Sequence, residues 1–310
     1  MPTRDTEPAP PPDLARDVPL APFTTIRVGG PADAACTARS FRQVTGALAW
    51  ARRNRMPVAI VGKGSNLVIS DEGFRGLVIR LAGRLSAISV RGDHTMWCGG
   101  GASLPRAVQR AAAAGLEGLE FGDSIPGTVG GAVAMNAGAY SSELVDVLEW
   151  VVLCSADGRR RVGPADLDMT YRHTAVRHDE VVAAAGFRLR PGDPEAIRER
   201  LAEWRGHRRS TQPQGVRTFG SVFTNPPGGS SGRLLEEAGC KGLAVGGARF
   251  SPVHANFIEA SREATAHDVV ALMAEGRRRV REAGGPVLHA EVRFLHPTDG
   301  ITRPPLPELT

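Results

Sequence analysis

The run Ile125-Pro126-Gly127-Thr128-Val129-Gly130-Gly131-Ala132-Val133-Ala134-Met135-Asn136-Ala137-Gly138 constrains this chain more than any other stretch. Thr128 and Asn136 are its only polar side chains. A ligand held there is therefore held by main-chain groups. The plainer reading is a glycine-packed turn between a strand and a helix. A second glycine segment, Gly62-Lys63-Gly64-Ser65-Asn66-Leu67, directly follows the apolar run Val58-Ala59-Ile60-Val61, which reads as a buried strand. Closely spaced glycines let backbone N–H groups converge on an anion without obstruction by Cβ. The segment is not a Walker loop, because no Gly-Lys-Ser/Thr follows at the required spacing. It also lacks the third glycine of the Rossmann fingerprint. Alone it is an ordinary turn. Two such loops in adjacent lobes point to a dinucleotide whose diphosphate lies between them.

The rest of the chain supplies a mixed α+β frame. Ser40 and Gln43 form a capping-box pattern ahead of Phe41, Val44 and Leu48 on one helical face. Leu77–Leu81 and Thr95–Cys98 read as strands, and Ser103 starts a helix that ends at Gly115. Strands around Val147–Cys154 and Arg161–Val162 flank a turn at Asp157-Gly158. A helix from Glu195 to about His207 leads into a third region. That region holds a helix through Leu234 and Leu235, a capped helix from Thr265, and a last strand over Val287–Leu295. Pro-rich ends at 1–21 and 297–310 read as loose tails. The expected division is a lobe over 22–84, a second lobe over 85–194 and a C-terminal domain over 195–296.

Composition narrows the classes. The formal charge is +5, from 38 basic and 33 acidic residues, and Lys63 and Lys241 are the only lysines. That balance is not the clustered basic stripe of a nucleic-acid binder, and it suits an anionic small substrate. No run approaches the ~20 apolar residues of a membrane helix, and the N-terminus has no apolar core typical of a secretory signal. Cys36, Cys98, Cys154 and Cys240 are far apart with no Cys-x-x-Cys pair, which argues against zinc and against a disulfide framework. The expectation is a soluble cytoplasmic protein with reduced thiols, no metal, no nucleic-acid or membrane partner, and a monomer favoured.

The chain resembles the UDP-N-acetylenolpyruvoylglucosamine reductase family over about residues 22–296. The resemblance rests on Thr25-Ile26-Arg27-Val28-Gly29-Gly30, Gly62–Leu67, Ile125–Tyr140, Tyr171-Arg172-His173-Thr174, Gly220-Ser221-Val222-Phe223-Thr224-Asn225-Pro226 and His254-Ala255-Asn256-Phe257. It implies a two-lobe FAD-binding domain of the vanillyl-alcohol-oxidase (PCMH) type plus a C-terminal α+β substrate domain. It also implies NADPH as electron donor and UDP-N-acetylglucosamine enolpyruvate as substrate, in peptidoglycan precursor synthesis. The FAD-binding residues so implied are Gly62, Lys63, Gly64, Ser65, Asn66 and Leu67 in one loop. In the other they are Ser124, Ile125, Gly127, Thr128, Gly130, Gly131, Ala132, Asn136, Ala137 and Gly138. Neither glycine loop contains a histidine or cysteine, so the flavin is expected to be non-covalent.

By the same resemblance the catalytic set is Arg172, Ser221 and Glu291, with Glu291 in the last strand. Substrate contacts fall to Tyr140, Tyr171, Arg209, Arg217, Asn225 and His254. Read without the family, Glu291 is a solvent-facing strand residue, Ser221 a loop serine and His254 a structural residue. Both tyrosines default to buried packing with a bonded hydroxyl. Thr224, Ala290, Thr174 and the run Arg217-Thr218-Phe219 depart from the family pattern without removing a catalytic group. The short Asn225–His254 interval leaves no room for an inserted tyrosine-bearing lid, which places the chain with the shorter, lidless class. Alternatives are a paralogue acting on another enol ether, a flavin oxidase of the wider superfamily and a non-catalytic nucleotide-sugar-binding protein.

Overall fold

The computed structural model describes residues 9–308. The architecture is α+β and divides into two compact units. One takes in the chain up to Asp17, Asp33–Gly62 and Arg75–Leu201. The other takes in Val18–Ala32, Lys63–Phe74 and Ala202–Thr310.

The first unit contains a parallel pair, Val58–Ile60 beside Phe74–Leu81, in register Val58↔Leu77 to Ile60↔Ile79. Helix α1 (Phe41–Arg53) covers this sheet with Val44, Ala47, Leu48 and Ala51, which share a core with Ala34, Cys36, Leu77 and Ile79. Its start follows the capping logic: Ser40 Oγ accepts from the Gln43 N–H at 3.3 Å, while Gln43 Oε1 reaches back past Ser40 to the Arg39 N–H.

A five-stranded sheet completes this unit, in the order Gly158–Val162, Leu148–Ser155, Val181–Arg188, Thr95–Gly99, Ile88–Val90. Its hairpin pairs Ser155 with Gly158, so Ala156 and Asp157 form the turn, one residue earlier than the sequence suggests. Val181–Phe187 is buried throughout. Helices α2 (Leu104–Ala113) and α3 (Val129–Ala134) belong to this unit, and α4 (Pro194–Thr211) begins in it.

The second unit has a three-stranded antiparallel sheet, Ala244–Val245, Ala248–Phe250 and Ile258–Ala260. Residues 217–223 continue it through the bridges Arg217↔Ala260 and Ser221↔Phe257, and Phe223↔Ala290 extends it once more. Helices α5 (Ser231–Glu237) and α6 (Ala266–Glu282) pack over Phe219, Phe223, Phe250, Ile258 and Val292. The α6 N-terminus carries the expected reciprocal Thr265–Asp268 cap. The Asp71 carboxylate adds to it, accepting from the N–H groups of Ala266 and His267 at 2.8 and 2.9 Å.

Three expectations need correction. Residues 1–8 of the expected 1–21 tail lie outside the described residues, but Ala15–Pro19 is a strand and Leu20 is fully buried. The 297–310 tail is ordered over most of its length. Gly300–Thr302 pairs with Arg293–His296, and Pro307 O accepts from Arg277 Nη1 at 2.9 Å. Proline costs a segment its N–H donor but not its carbonyl acceptor, so a Pro-rich end can still dock. The division at 22–84, 85–194 and 195–296 also differs. Leu67–Ile69 pairs in parallel with Arg293–Leu295, and Ile26, Val28 and Val68 enter the C-terminal core, so Val18–Ala32 and Lys63–Phe74 group with the C-terminal chain.

Candidate active site

In the first unit the glycine run is a turn bound into the sheet. Thr128 is the N-cap of α3, and its Oγ1 accepts from the Gly131 N–H at 3.3 Å. The N–H groups of Val129 and Gly130 go to the carbonyls of Ala102 and Gly100, and those of Gly127 and Ala132 go to Ile125 and Thr128. A Cβ on Gly130 would sit 2.9 Å from both Gly100 O and Val182 O, so only glycine allows this approach. Five amides of the run are thus satisfied within the protein. Ser124, Ala132 and Ala137 are buried, and Gly131 is exposed. Gly62 lies against this turn, where its Cβ would meet Thr128 Oγ1 at 2.5 Å.

The Tyr171-Arg172 pair forms the tip of a two-residue turn closed by Thr170 and His173, each N–H donating to the other's carbonyl. Arg172 has φ +57°, a conformation that glycine or asparagine usually supplies. Its Nη2 donates to Gly138 O at 2.8 Å, its Nη1 lies 3.5 Å from Glu143 Oε1, and its Cζ stands 4.7 Å over the Tyr171 ring. Asn136 (φ +39°), Tyr140 (φ +53°) and Ser141 (φ +61°) are also left-handed. Such strain costs on the order of 1–3 kcal/mol per residue and concentrates at functional sites. The tyrosines are not buried: Tyr140 is 36% and Tyr171 50% exposed, which corrects the default reading of both.

In the second unit Gly64 takes φ +59°, and Thr25 N–H donates to its carbonyl at 3.3 Å. Among the described residues no backbone carbonyl takes the N–H of Ser65 or Asn66. Asn66 is committed elsewhere. Its Nδ2 donates to Glu291 O at 3.2 Å, and its carbonyl accepts from Arg293 N–H at 3.1 Å. Leu67 is buried at the head of its strand.

Ser221 sits in the bridge to Phe257. Val222 N–H donates to Asn256 O, and the buried Asn256 amide grips both backbone groups of Phe223, at 2.9 and 2.8 Å. Glu291 is not in a strand: the strand expected over Val287–Leu295 begins only at Arg293. It lies in the extended segment before it, held by its N–H to Val222 O at 2.9 Å. That bond sets Glu291 one backbone step from Ser221. Burial lowers the basicity of Arg293, and Arg303 lowers it further. Glu291 opposes this, which places its carboxyl within electrostatic reach of Arg293.

The substrate candidates separate. Asn225 Oδ1 accepts the Ser231 N–H at 3.0 Å, so its amide oxygen is used in the protein. His254 Nδ1 accepts from Asn256 N–H at 3.1 Å, and its ring lies 4.9 Å from Phe257, edge on. Burial holds this imidazole below the usual histidine range, so it is neutral at pH 7. Arg209 is exposed near the end of α4. Arg217 lines a cavity of about 580 Å³ with Arg249, Glu259 and Arg262.

The loop Gly62–Leu67 offers groups that suit the diphosphate of a flavin nucleotide. The two open N–H groups at Ser65 and Asn66 suit an anion, and Thr218 Oγ1 is a buried hydroxyl with no partner. Among the described residues no three His, Cys, Asp or Glu side chains cluster as a metal would require, and no helix is long and apolar enough to cross a membrane. All four cysteines are buried and free. Burial pushes the thiols of Cys36 and Cys154 up to about 11 and that of Cys98 to about 12, and raises Cys240. Iodoacetamide at pH 8 is thus expected to leave the native protein unmodified and to label it fully once denatured, read by intact mass. Labelling of the native protein would contradict this burial.

Sequence reasoning missed Glu143 and Thr218. The signal for Glu143 was available: an acidic residue five positions beyond the glycine run and three beyond Tyr140, one of the two tyrosines.

Residues 212–295 match the family model described as the UDP-N-acetylenolpyruvoylglucosamine reductase C-terminal domain, and residues 32–162 match an FAD binding domain. The chain is 46% identical over 280 residues to the UDP-N-acetylenolpyruvoylglucosamine reductase of Anaeromyxobacter dehalogenans, covering 90% of this chain and 85% of that one. It is 44% identical to the enzyme of the same name from Acidiphilium cryptum, covering 89% of each. The crystal structure of the UDP-N-acetylenolpyruvylglucosamine reductase from Thermus caldophilus superposes with a TM-score of 0.79 at 38% identity, over 89% of this chain and 97% of that one. Similarity of this extent, running through the sequence of both units, places the chain in the UDP-N-acetylenolpyruvoylglucosamine reductase family.

Proposed function

We propose that this protein reduces UDP-N-acetylglucosamine enolpyruvate to UDP-N-acetylmuramate with electrons from NADPH, as an FAD-dependent oxidoreductase of peptidoglycan precursor synthesis. The observation that carries this reading is similarity to the reductases over about nine-tenths of the chain, together with Arg172, Ser221 and Glu291 at the motif positions.

FAD would be held by the Ser65 and Asn66 amides and the Thr218 hydroxyl, with the Gly62 and Thr128 turn shaping the other glycine loop. When bound, it supplies hydride to the enol-ether carbon distal to the substrate carboxylate. Negative charge then develops at the adjacent carbon and spreads into that carboxylate. Arg172 stabilises it with a planar, charge-assisted fork. Ser221 donates the proton that completes the reduction. Glu291, whose N–H bonds the carbonyl of the residue after Ser221, would donate a hydrogen bond to the same charge in its protonated form, since an ionised carboxylate only accepts. A serine hydroxyl is a weak acid, so this transfer depends on the charges set around it.

The interval between Asn225 and His254 is filled by α5 and the Ala244–Phe250 strand pair, which supports the lidless class. Arg209 and Arg217 are the candidates for the nucleotide diphosphate. The competing reading is a paralogue acting on a different enol ether. The chain is expected to restore growth of a bacterium depleted of its own reductase, and Arg172→Ala is expected not to. Failure of the well-expressed wild-type chain to rescue would favour the paralogue.

A further inference from the structure

Glu143 has no place in the expected catalytic set, yet its carboxylate stands between Arg172 and Asn136. Oε1 faces Arg172 Nη1 at 3.5 Å, and Oε2 accepts from Asn136 Nδ2 at 2.9 Å. Asn136 is completely buried and bound three ways. Besides Glu143, its Nδ2 donates to Thr170 O at 3.0 Å, at the base of the Arg172 turn, and its Oδ1 accepts from Val145 N–H at 3.1 Å. Glu143 is also fixed by its main chain. It pairs with Gly138, the residue whose carbonyl takes Arg172 Nη2, and its N–H donates to Asp146 Oδ2 at 2.8 Å. One short strand pair thus presents two acceptors to the two ends of a single guanidinium.

The two contacts differ in kind. The bond to Gly138 O is short. The contact to Glu143 is long and partly exposed, with the Arg172 and Glu143 side chains 17% and 28% accessible. An arginine loses rotamer freedom when its fork is fixed, and a partner that holds the fork in advance removes that cost from binding. A contact at 3.5 Å also gives way to an incoming carboxylate without the loss of a tight bond.

We propose that Glu143 is a positioning residue. It holds the Arg172 fork in place, anchored itself by Asn136, until the substrate carboxylate takes over Nη1. This rests on Arg172 serving the substrate half of the reaction.

The test is stopped-flow of the two half-reactions in FAD-loaded Glu143→Gln, Glu143→Asp and Arg172→Ala. Misplacing a catalytic fork costs roughly 10- to 100-fold. Glu143→Gln keeps the shape but turns an amide N–H₂ or a neutral oxygen toward Arg172. Recovery of the flavin by substrate is expected to slow by that factor, with bleaching by NADPH within twofold of native. Glu143→Asp, which keeps the charge, is expected to retain more of the substrate step. Equal slowing of both halves in Glu143→Gln, or an aspartate variant slower than the glutamine one, would overturn the proposal. A native substrate step in Glu143→Gln beside a slowed one in Arg172→Ala would also overturn it while leaving the role of Arg172 intact. A native substrate step in Arg172→Ala would overturn the reading of Arg172 itself.

Discussion

Ser221→Ala is expected to leave bleaching of the bound flavin by NADPH near its native rate and to slow recovery by substrate about 100- to 10,000-fold, the usual cost of a lost general acid. Hydride transfer from the nicotinamide requires no proton from Ser221, whereas quenching the substrate carbanion does. The surrounding backbone does not depend on the hydroxyl. Residues 221–223 are held by the bridge to Phe257, the Val222 N–H bond to Asn256 O and the Asn256 amide on Phe223. Alanine keeps Cβ and removes only Oγ, so the FAD content should be unchanged. Stopped-flow absorbance on both halves checks this, and equal slowing of the two would remove Ser221 from the proton-transfer role.

Arg277→Ala is expected to destabilise the second unit by about 3 kcal/mol. Arg277 is 8% exposed, and its Nε and Nη1 donate to Leu288 O and Pro307 O at 3.0 and 2.9 Å. Burial lowers its basicity. Alanine strips the donor from the buried Leu288 carbonyl, at about 1–3 kcal/mol for a buried acceptor left unpaired, releases the exposed Pro307 end and opens a cavity. Release from desolvating a cation offsets part of this. Leu288 lies three residues before Glu291, so the same change should loosen the segment that presents the catalytic carboxyl. Urea denaturation at constant m-value measures the effect, and an unchanged midpoint would show that the guanidinium contributes no net stability.

What the sequence discloses and what it withholds follow from the range of the interactions involved. The caps of α1 and α6 are legible because Ser40–Gln43 and Thr265–Asp268 are three residues apart. The second anchor of α6, Asp71, is 195 residues away from Ala266, and no local pattern marks it. The Pro-rich ends look loose for the same reason: Arg277 and the strand Arg293–His296 that dock the C-terminal one are distant in sequence or invisible to periodicity. The glycine run stands out at once, but the partners of its amides do not: five of its N–H groups go to Ala102, Gly100 and the turn itself, while those of Ser65 and Asn66 meet no backbone carbonyl among the described residues. Arg172 is one arginine among 36 until its φ of +57° and its contact with Glu143 set it apart.

The measurement that bears most directly on the function is an anaerobic absorbance titration of the purified protein. The as-isolated chain should show the two visible bands of an oxidised flavin. NADPH should bleach them, and one equivalent of UDP-N-acetylglucosamine enolpyruvate should restore them with formation of UDP-N-acetylmuramate. A colourless protein that stays so when FAD is added, or a flavin that NADPH bleaches and the enolpyruvyl substrate fails to restore, would contradict the assignment.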